Sequence, residues 1–278
     1  MSTLEIHMRR ALLPALFLTL SAVPAAAQAR SAQSRDAQRW LDDCQRDGGR
    51  SDRERYCDVR EQTIGARSQL RVDGRTNGGI EVIGSDRSDI LVISKIQTQA
   101  GSEADAKAMA EQIRIETGDE IRADGPSTRW RSSWSVSYEI HVPRKMSLDL
   151  SATNGGISID NVDGRLQFET TNGGISLTGV AGDVRGETAN GGVDVQLTGD
   201  RWSGAGLDVR STNGGVELTI PENYSARLET GTTNGGMEIG FPVTVQGRLD
   251  RQLSTQLGQG GALVRVTTTN GGVTLRKR

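Results

Sequence analysis

The sequence predicts an all-β protein, a parallel β-helix or solenoid with coils of about 18 residues and one short helix in its N-terminal part. Three observations carry this. The triplet Asn-Gly-Gly occurs seven times, with its Asn at 77, 154, 172, 190, 213, 234 and 270, and Thr precedes all but Asn190, which follows Ala189. From Asn154 the spacings are 18, 18, 23, 21 and 36, the last being twice 18, as though one turn near Gln252 had lost its signature. A second glycine corner falls midway, at Val162-Asp163-Gly164 and Val180-Ala181-Gly182, and two corners per 18 residues describe one flattened coil. The alternative is an antiparallel β-sandwich, in which each Asn-Gly would close a hairpin.

In chain order, residues 1–27 come first. Met8, Arg9 and Arg10 precede the apolar run Ala11–Val23 and the small residues Pro24–Ala29. That order is a secretory signal peptide, with cleavage expected after Ala27 or Ala29, and the run is too short to span a bilayer. No cysteine lies near that point, so lipid attachment there is not expected. No other segment is long and apolar enough to cross a membrane. Without Glu5, Arg9 and Arg10 the chain carries a net charge of −3, which gives no reason to expect nucleic acid or anionic lipid as a partner.

Residues 28–66 read as a polar, arginine-rich arm around Cys44 and Cys57. Two cysteines at short spacing in an exported chain favour a disulfide. A metal pair is the alternative, without a nearby histidine to complete it.

Residues 67–143 read as strands with one helix. Leu70 and Val72, Ile80 and Val82, and Ile90 to Ile96 are strand-like. Ser102 can cap a helix whose apolar positions Ala106, Met109, Ala110 and Ile113 fall at helical spacing. Ile115 and Ile121 flank a turn, and Trp134, Val136, Tyr138, Ile140 and Val142 alternate with polar residues until Pro143.

Residues 144–278 hold the repeat. Three and five residues after each Asn stand pairs such as Ile157 and Ile159, Ile175 and Leu177, or Val273 and Leu275, each with a polar residue between. Six and four residues before it stand Leu148 and Leu150, Leu166 and Phe168, Leu207 and Val209, or Val264 and Val266. This two-residue alternation marks strands with one buried face on either side of each turn. The parity places the Asn inward, with Gly-Gly supplying backbone angles closed to other residues. Coils stack about 4.8 Å apart, so Asn154, Asn172, Asn190, Asn213, Asn234 and Asn270 should form a buried amide ladder. Asn77 falls outside the regular register. Arg276, Lys277 and Arg278 should guard one end of the stack by charge and the N-terminal region with its helix should cover the other.

The segment Trp134-Ser-Val-Ser-Tyr-Glu-Ile-His-Val-Pro143, the tandem NGGI and NGGV turns and the closing Thr269-Asn-Gly-Gly-Val-Thr-Leu-Arg-Lys carry a resemblance. Over about residues 65–278 the chain resembles the bacterial putative-adhesin family of NGG-repeat β-strand domains. The resemblance implies a parallel β-helix and brings no catalytic or binding residues with it.

Little of the sequence points to chemistry. The expected mature chain has a single histidine, His141, on the polar face of its strand. Glu81, Glu169, Glu187, Glu217, Glu229 and Glu238 take outward positions, dispersed among Thr, Ser and Arg, which reads as a solvated face. Leu257-Gly-Gln-Gly-Gly261 lacks the strand-to-helix setting of a phosphate loop. Trp130 and Trp202 are the aromatics available for a ligand, or else caps over the core. The reading is a non-enzymatic exported envelope module, without cofactor or metal, whose partner is an envelope protein or glycan. The alternative is an envelope carbohydrate-active enzyme on a β-helix. A tight carboxylate pair beside a groove would favour the enzyme; a flat Thr/Ser/Glu face would favour the module.

Overall fold

The computed structural model describes residues 25–46, 53–128, 131–242 and 251–278. Residues 1–24 of the expected signal peptide, and Trp130, lie outside them. The chain divides into two compact units, Met1–Trp40 and Leu41–Arg278. In the first, helix α1 (Ala25–Arg46) begins, with Asp36 and Arg39 ion-paired one turn apart.

In the second unit the N-terminal strands are β1 (Glu54–Gly65), β2 (Gln69–Asp73), β3 (Ile80–Ser85) and β4 (Asp89–Ala100). Helix α2 (Glu103–Gln112), β5 (Arg114–Thr117), β6 (Ile121–Asp124) and β7 (Ser133–Pro143) follow. Strands then alternate between two sheets: β8 (Ser147–Ala152), β9 (Ile157–Asp160), β10 (Asp163–Thr170), β11 (Ile175–Thr178), β12 (Ala181–Asn190), β13 (Val193–Gln196), β14 (Gly206–Asn213) and β15 (Val216–Ile220). The chain closes with β16 (Ala226–Asn234), β17 (Met237–Ile239), β18 (Gln252–Leu257), β19 (Leu263–Asn270) and β20 (Val273–Lys277).

The first sheet is ordered β1-β4-β7-β3-β9-β11-β13-β15-β20-β17 and the second β18-β16-β19-β14-β12-β10-β8-β2-β6-β5. Both are mixed. Neighbours within the repeat are parallel and in register: Leu148, Leu166 and Val184 stand side by side, as do Ile157, Ile175 and Val193. Each Asn-Gly-Gly turn therefore joins strands of different sheets instead of closing a hairpin. The alternating apolar residues of both sheets meet in one core, where Leu70, Val82, Ile159, Leu177, Val195, Val209 and Leu275 are fully or almost fully buried. Each such side chain contributes roughly 1.5–3 kcal/mol on leaving water.

Three expectations are corrected here. Residues 54–65 form not an exposed arm but β1, the antiparallel edge partner of β4. Its charged residues hid it, and charge is what an edge strand carries to stay unpaired. Residues near Gln252 make no degenerate coil; β18 runs antiparallel to β16 at the end of the second sheet. The 36-residue gap arises because β19 and β20 return to lie between β14 and β16 and between β15 and β17. Arg276 and Lys277 consequently belong to an interior strand, where Arg276 pairs with Glu217 at 2.8 Å, and not to a guarded edge.

Helix α2 is capped by Ser102, whose hydroxyl accepts from the Asp105 amide, and it buries Ala106 and Ala110 against the sheet. Arg60 of β1 donates to the carbonyls of Ala110 and Ile113 at its end, at 2.8 and 2.6 Å. Within the second unit, Cys44 and Cys57 form a disulfide with a Cα–Cα distance of 6.4 Å, tying the C-terminal end of α1 to β1.

Candidate functional site

The turns set the geometry of the surface. Asn side chains form one continuous chain of amides: Nδ2 of Asn154 donates to Asn77, Asn172 to Asn154, Asn190 to Asn172, Asn213 to Asn190, Asn270 to Asn213 and Asn234 to Asn270, at 2.7–3.1 Å. Asn77 is a member after all. Its strand carries one extra residue, absorbed where Arg75 adopts φ 55°. The expected burial of this ladder is corrected, since all seven Asn are solvent-exposed. The chain bends at the corner, so strand parity no longer applies at the Asn itself.

The buried polar position lies two residues earlier. Thr170, Thr188, Ser211 and Thr268 are nearly inaccessible, and their hydroxyls donate to the carbonyls of Gly155, Gly173, Gly191 and Gly214 in neighbouring turns, at 2.7–2.8 Å. This inner hydroxyl ladder was missed in the sequence, although the column of small and hydroxyl residues was legible. The role of the first glycine is also corrected. Among the turn glycines only Gly271 has a positive φ. What excludes a side chain is the next turn: a Cβ on Gly173 would stand 2.1 Å from the Gly155 carbonyl, and one on Gly191 2.1 Å from that of Gly173.

With Thr or Ser drawn inward, the residues on either side face out and line a groove across the second sheet. It has a volume of about 1110 Å³ and reaches from Asp73 to Gln252–Ser254. One rank along it is Thr153, Thr171, Ala189, Thr212, Thr269 and Thr233; the adjacent rank is Ser151, Glu169, Glu187, Arg210 and Thr267. Glu169 and Glu187 are register neighbours, so two carboxylates stand side by side in it. Farther along, Arg265 bridges Asp208 at 3.2 Å and Glu229 at 2.6 Å. The groove is lined by hydroxyls and charges, and among the described residues no aromatic lines it.

The six outward glutamates divide between the faces. Glu169, Glu187 and Glu229 line the groove, while Glu81, Glu217 and Glu238 are on the first sheet. There Glu139 accepts from His141 Nε2 at 2.9 Å and from Lys95 Nζ at 2.8 Å. The His141 bond, reinforced by Lys95, pulls its carboxyl down to about 2 despite burial. Burial, together with the Glu139 charge in the neighbouring strand, pushes Glu81 upward. His141 is thus held in an ion-pair cluster on the sheet that does not carry the groove.

Trp202 lies in the longer link between Asn190 and Asn213. It is 6% exposed and donates its indole N–H to the Gly182 carbonyl at 3.1 Å, so it presents no face to a ligand. Trp134 packs partly buried and donates to Pro126 at 2.9 Å. Among the described residues no group of three or more His, Cys, Asp or Glu could hold a metal ion, and no helix is long and apolar enough to cross a membrane.

Fold and site define a class: a stack of paired β-strands with a polar groove on one sheet. The chain belongs to the Toastrack DUF4097 family, a domain of unknown function, whose model matches residues 93–276. Three solved structures are similar. The first is a putative cell adhesion protein of Clostridium sporogenes, 12% identical with a TM-score of 0.43, the match covering 80% of this chain and 100% of that one. A putative adhesin of Bacteroides fragilis is 10% identical with a TM-score of 0.32, over 80% and 97%. A putative lipid binding protein of Parabacteroides distasonis is 8% identical with a TM-score of 0.29, over 78% and 96%. No curated protein matches the chain.

Proposed function

We propose that the protein is a non-enzymatic, exported envelope module, a parallel β-solenoid of 18-residue coils closed by Asn-Gly-Gly turns, which binds an envelope protein or glycan along its groove. The observation that carries this is the groove itself. Ranked Thr hydroxyls, carboxylates and guanidinium groups on a stiff sheet provide many fixed hydrogen-bond partners. The single histidine of the expected mature chain sits on the other sheet, engaged with Glu139, which supports binding over acid–base turnover. Export is supported by the signal-peptide pattern and by the disulfide, a bond that persists in oxidising compartments. A surface without aromatic anchors binds weakly per copy, so retention would rely on many copies at the envelope.

One observation favours a second reading. Glu169 and Glu187 belong to adjacent strands, which lie roughly 4.8 Å apart, close to the separation of about 5 Å used by retaining glycosidases. A single experiment separates the two. The purified protein is passed over immobilised envelope polysaccharides and envelope protein fractions, following both retention and new reducing or unsaturated sugar ends. Retention should occur without release, and should fall severalfold in the triple variant Thr171→Ala, Thr212→Ala, Thr269→Ala. Oligosaccharide release that disappears in Glu169→Gln or Glu187→Gln would overturn the binding reading in favour of the enzyme.

A further inference from the structure

The coil of β19 and β20 stands out of sequence order. Strand β19 pairs in register with β14 on one side and β16 on the other: Val264 faces Leu207 and Leu228, and Asn270 faces Asn213 and Asn234. Strand β20 is held likewise between β15 and β17. Both flanks of this slot are encoded before the coil that fills it. Among the described residues, the strands beyond it, β16, β17 and β18, pair only with that coil and with one another. Removing the coil would expose two strand edges on each sheet, and such edges template further pairing.

The segment leading into the coil is built to change direction. Gly258, Gly260 and Gly261 have φ of 51°, 77° and 134°, and Gly260 closes a turn onto the Leu257 carbonyl at 2.9 Å. Glycine reaches the extended conformation as readily as these, so the turn can straighten at little steric cost.

We propose that residues 262–278 are an exchangeable arm, and that the slot between β14/β15 and β16/β17 is a docking site for the same arm of a second copy of this chain. The slot's chemistry matches this arm. Gly214 accepts the Thr268 hydroxyl at 2.7 Å. The amides of Asn213 and Asn234 lie on either side of Asn270. Asp208 and Glu229, one on each flank, both pair with the guanidinium of Arg265. An arm donated by a second copy restores every one of these contacts. Closed and exchanged forms then differ only in the Gly258–Gly261 segment and in the entropy of association, and chain concentration decides between them.

The test uses two full-length variants, Asp208→Cys and Arg265→Cys, at outward-facing positions paired in register. They are unfolded together, refolded as a mixture over a range of concentrations, oxidised and digested. A linked 208–265 peptide pair can form only between chains, and its excess over the 208–208 and 265–265 links that chance collision also gives marks the arm of one in the slot of the other. Its yield should rise roughly tenfold for a tenfold rise in chain concentration. A second pair, Thr219→Cys with Arg276→Cys, reads the same slot on the first sheet. Folded variants that give only 208–208 or 265–265 links, or no links between chains, overturn the proposal. Should neither pair fold, the unmodified chain decides: a dimer that persists on dilution after concentrated refolding supports exchange, and a monomer at every concentration excludes it.

Discussion

At the scale of single residues, the hydroxyl inside the turn should contribute more to stability than the amide outside it. Thr188 is 2% exposed and its hydroxyl donates to the partly buried Gly173 carbonyl, so Thr188→Val removes that donor while keeping the shape. We expect a loss of about 1–3 kcal/mol in urea unfolding. Asn172 bonds both neighbours but in contact with water, so Asn172→Ala should lose less, about 1 kcal/mol; a larger loss at Asn172 would reverse this ranking. The two turn glycines should differ as well. Gly173→Ala drives a methyl onto the Gly155 carbonyl, whereas a Cβ on Gly174 would meet nothing nearer than 3.3 Å. Thermal melting should show Gly173→Ala as the more damaging by more than about 2 kcal/mol. The apolar alternation was legible because side-chain parity is local. The inner ladder was obscured because parity was extended one residue too far, past the point where the chain bends. The strand before Asn190 also hid, since Gly186 stands where a large residue was expected. That space is filled by the ring of Phe168 from the preceding coil, which a Cβ on Gly186 would meet at 1.8 Å.

At the scale of elements, the N-terminal strands depend on long-range ties that spacing alone does not reveal. The Cys44–Cys57 bond closes a loop with a sequence separation of 13. Reducing it should cost about 3 kcal/mol, or less where strain offsets the gain, and mass spectrometry without reduction should recover one linked peptide pair. Neighbouring β4 and β7 carry the Lys95–Glu139–His141 cluster. The folded Glu139 carboxyl titrates near 2, below the unfolded value of about 4.3. Its contribution is therefore fully present above about pH 4.3 and is lost as pH falls toward 2, by up to about 3 kcal/mol. Glu81 acts in the opposite sense, because a raised carboxyl favours the protonated folded state. Stability measured from pH 6 to 2 should fall less steeply in Glu139→Gln than in the unmodified chain. An equal slope would remove this cluster from the acid response. The sequence placed His141 on a polar face, but Lys95 lies 46 residues earlier, and the β4–β7 register that unites them depends on pairing across the intervening α2, β5 and β6.

At the scale of the whole molecule, strands that alternate in burial were legible in the sequence and their order in the two sheets was not. The interval of 36 reads in the sequence as one more copy with its signature lost. Register shows a returning coil and an antiparallel edge strand in that interval. The groove was similarly half visible: the Thr and Glu positions could be read, but their gathering into one trough depends on all the coils holding the same register. That interleaved order also limits how such a chain can change in length. Copying a unit between Asn154 and Asn190 adds a strand pair beside its parent and lengthens each rank of the trough by one residue. A unit copied from beyond Asn213 has no vacant neighbour, because its place is already taken by residues encoded later. Growth and loss of repeats should therefore be confined to the middle of the array, leaving the closing coil a fixed number of residues behind the slot that it fills.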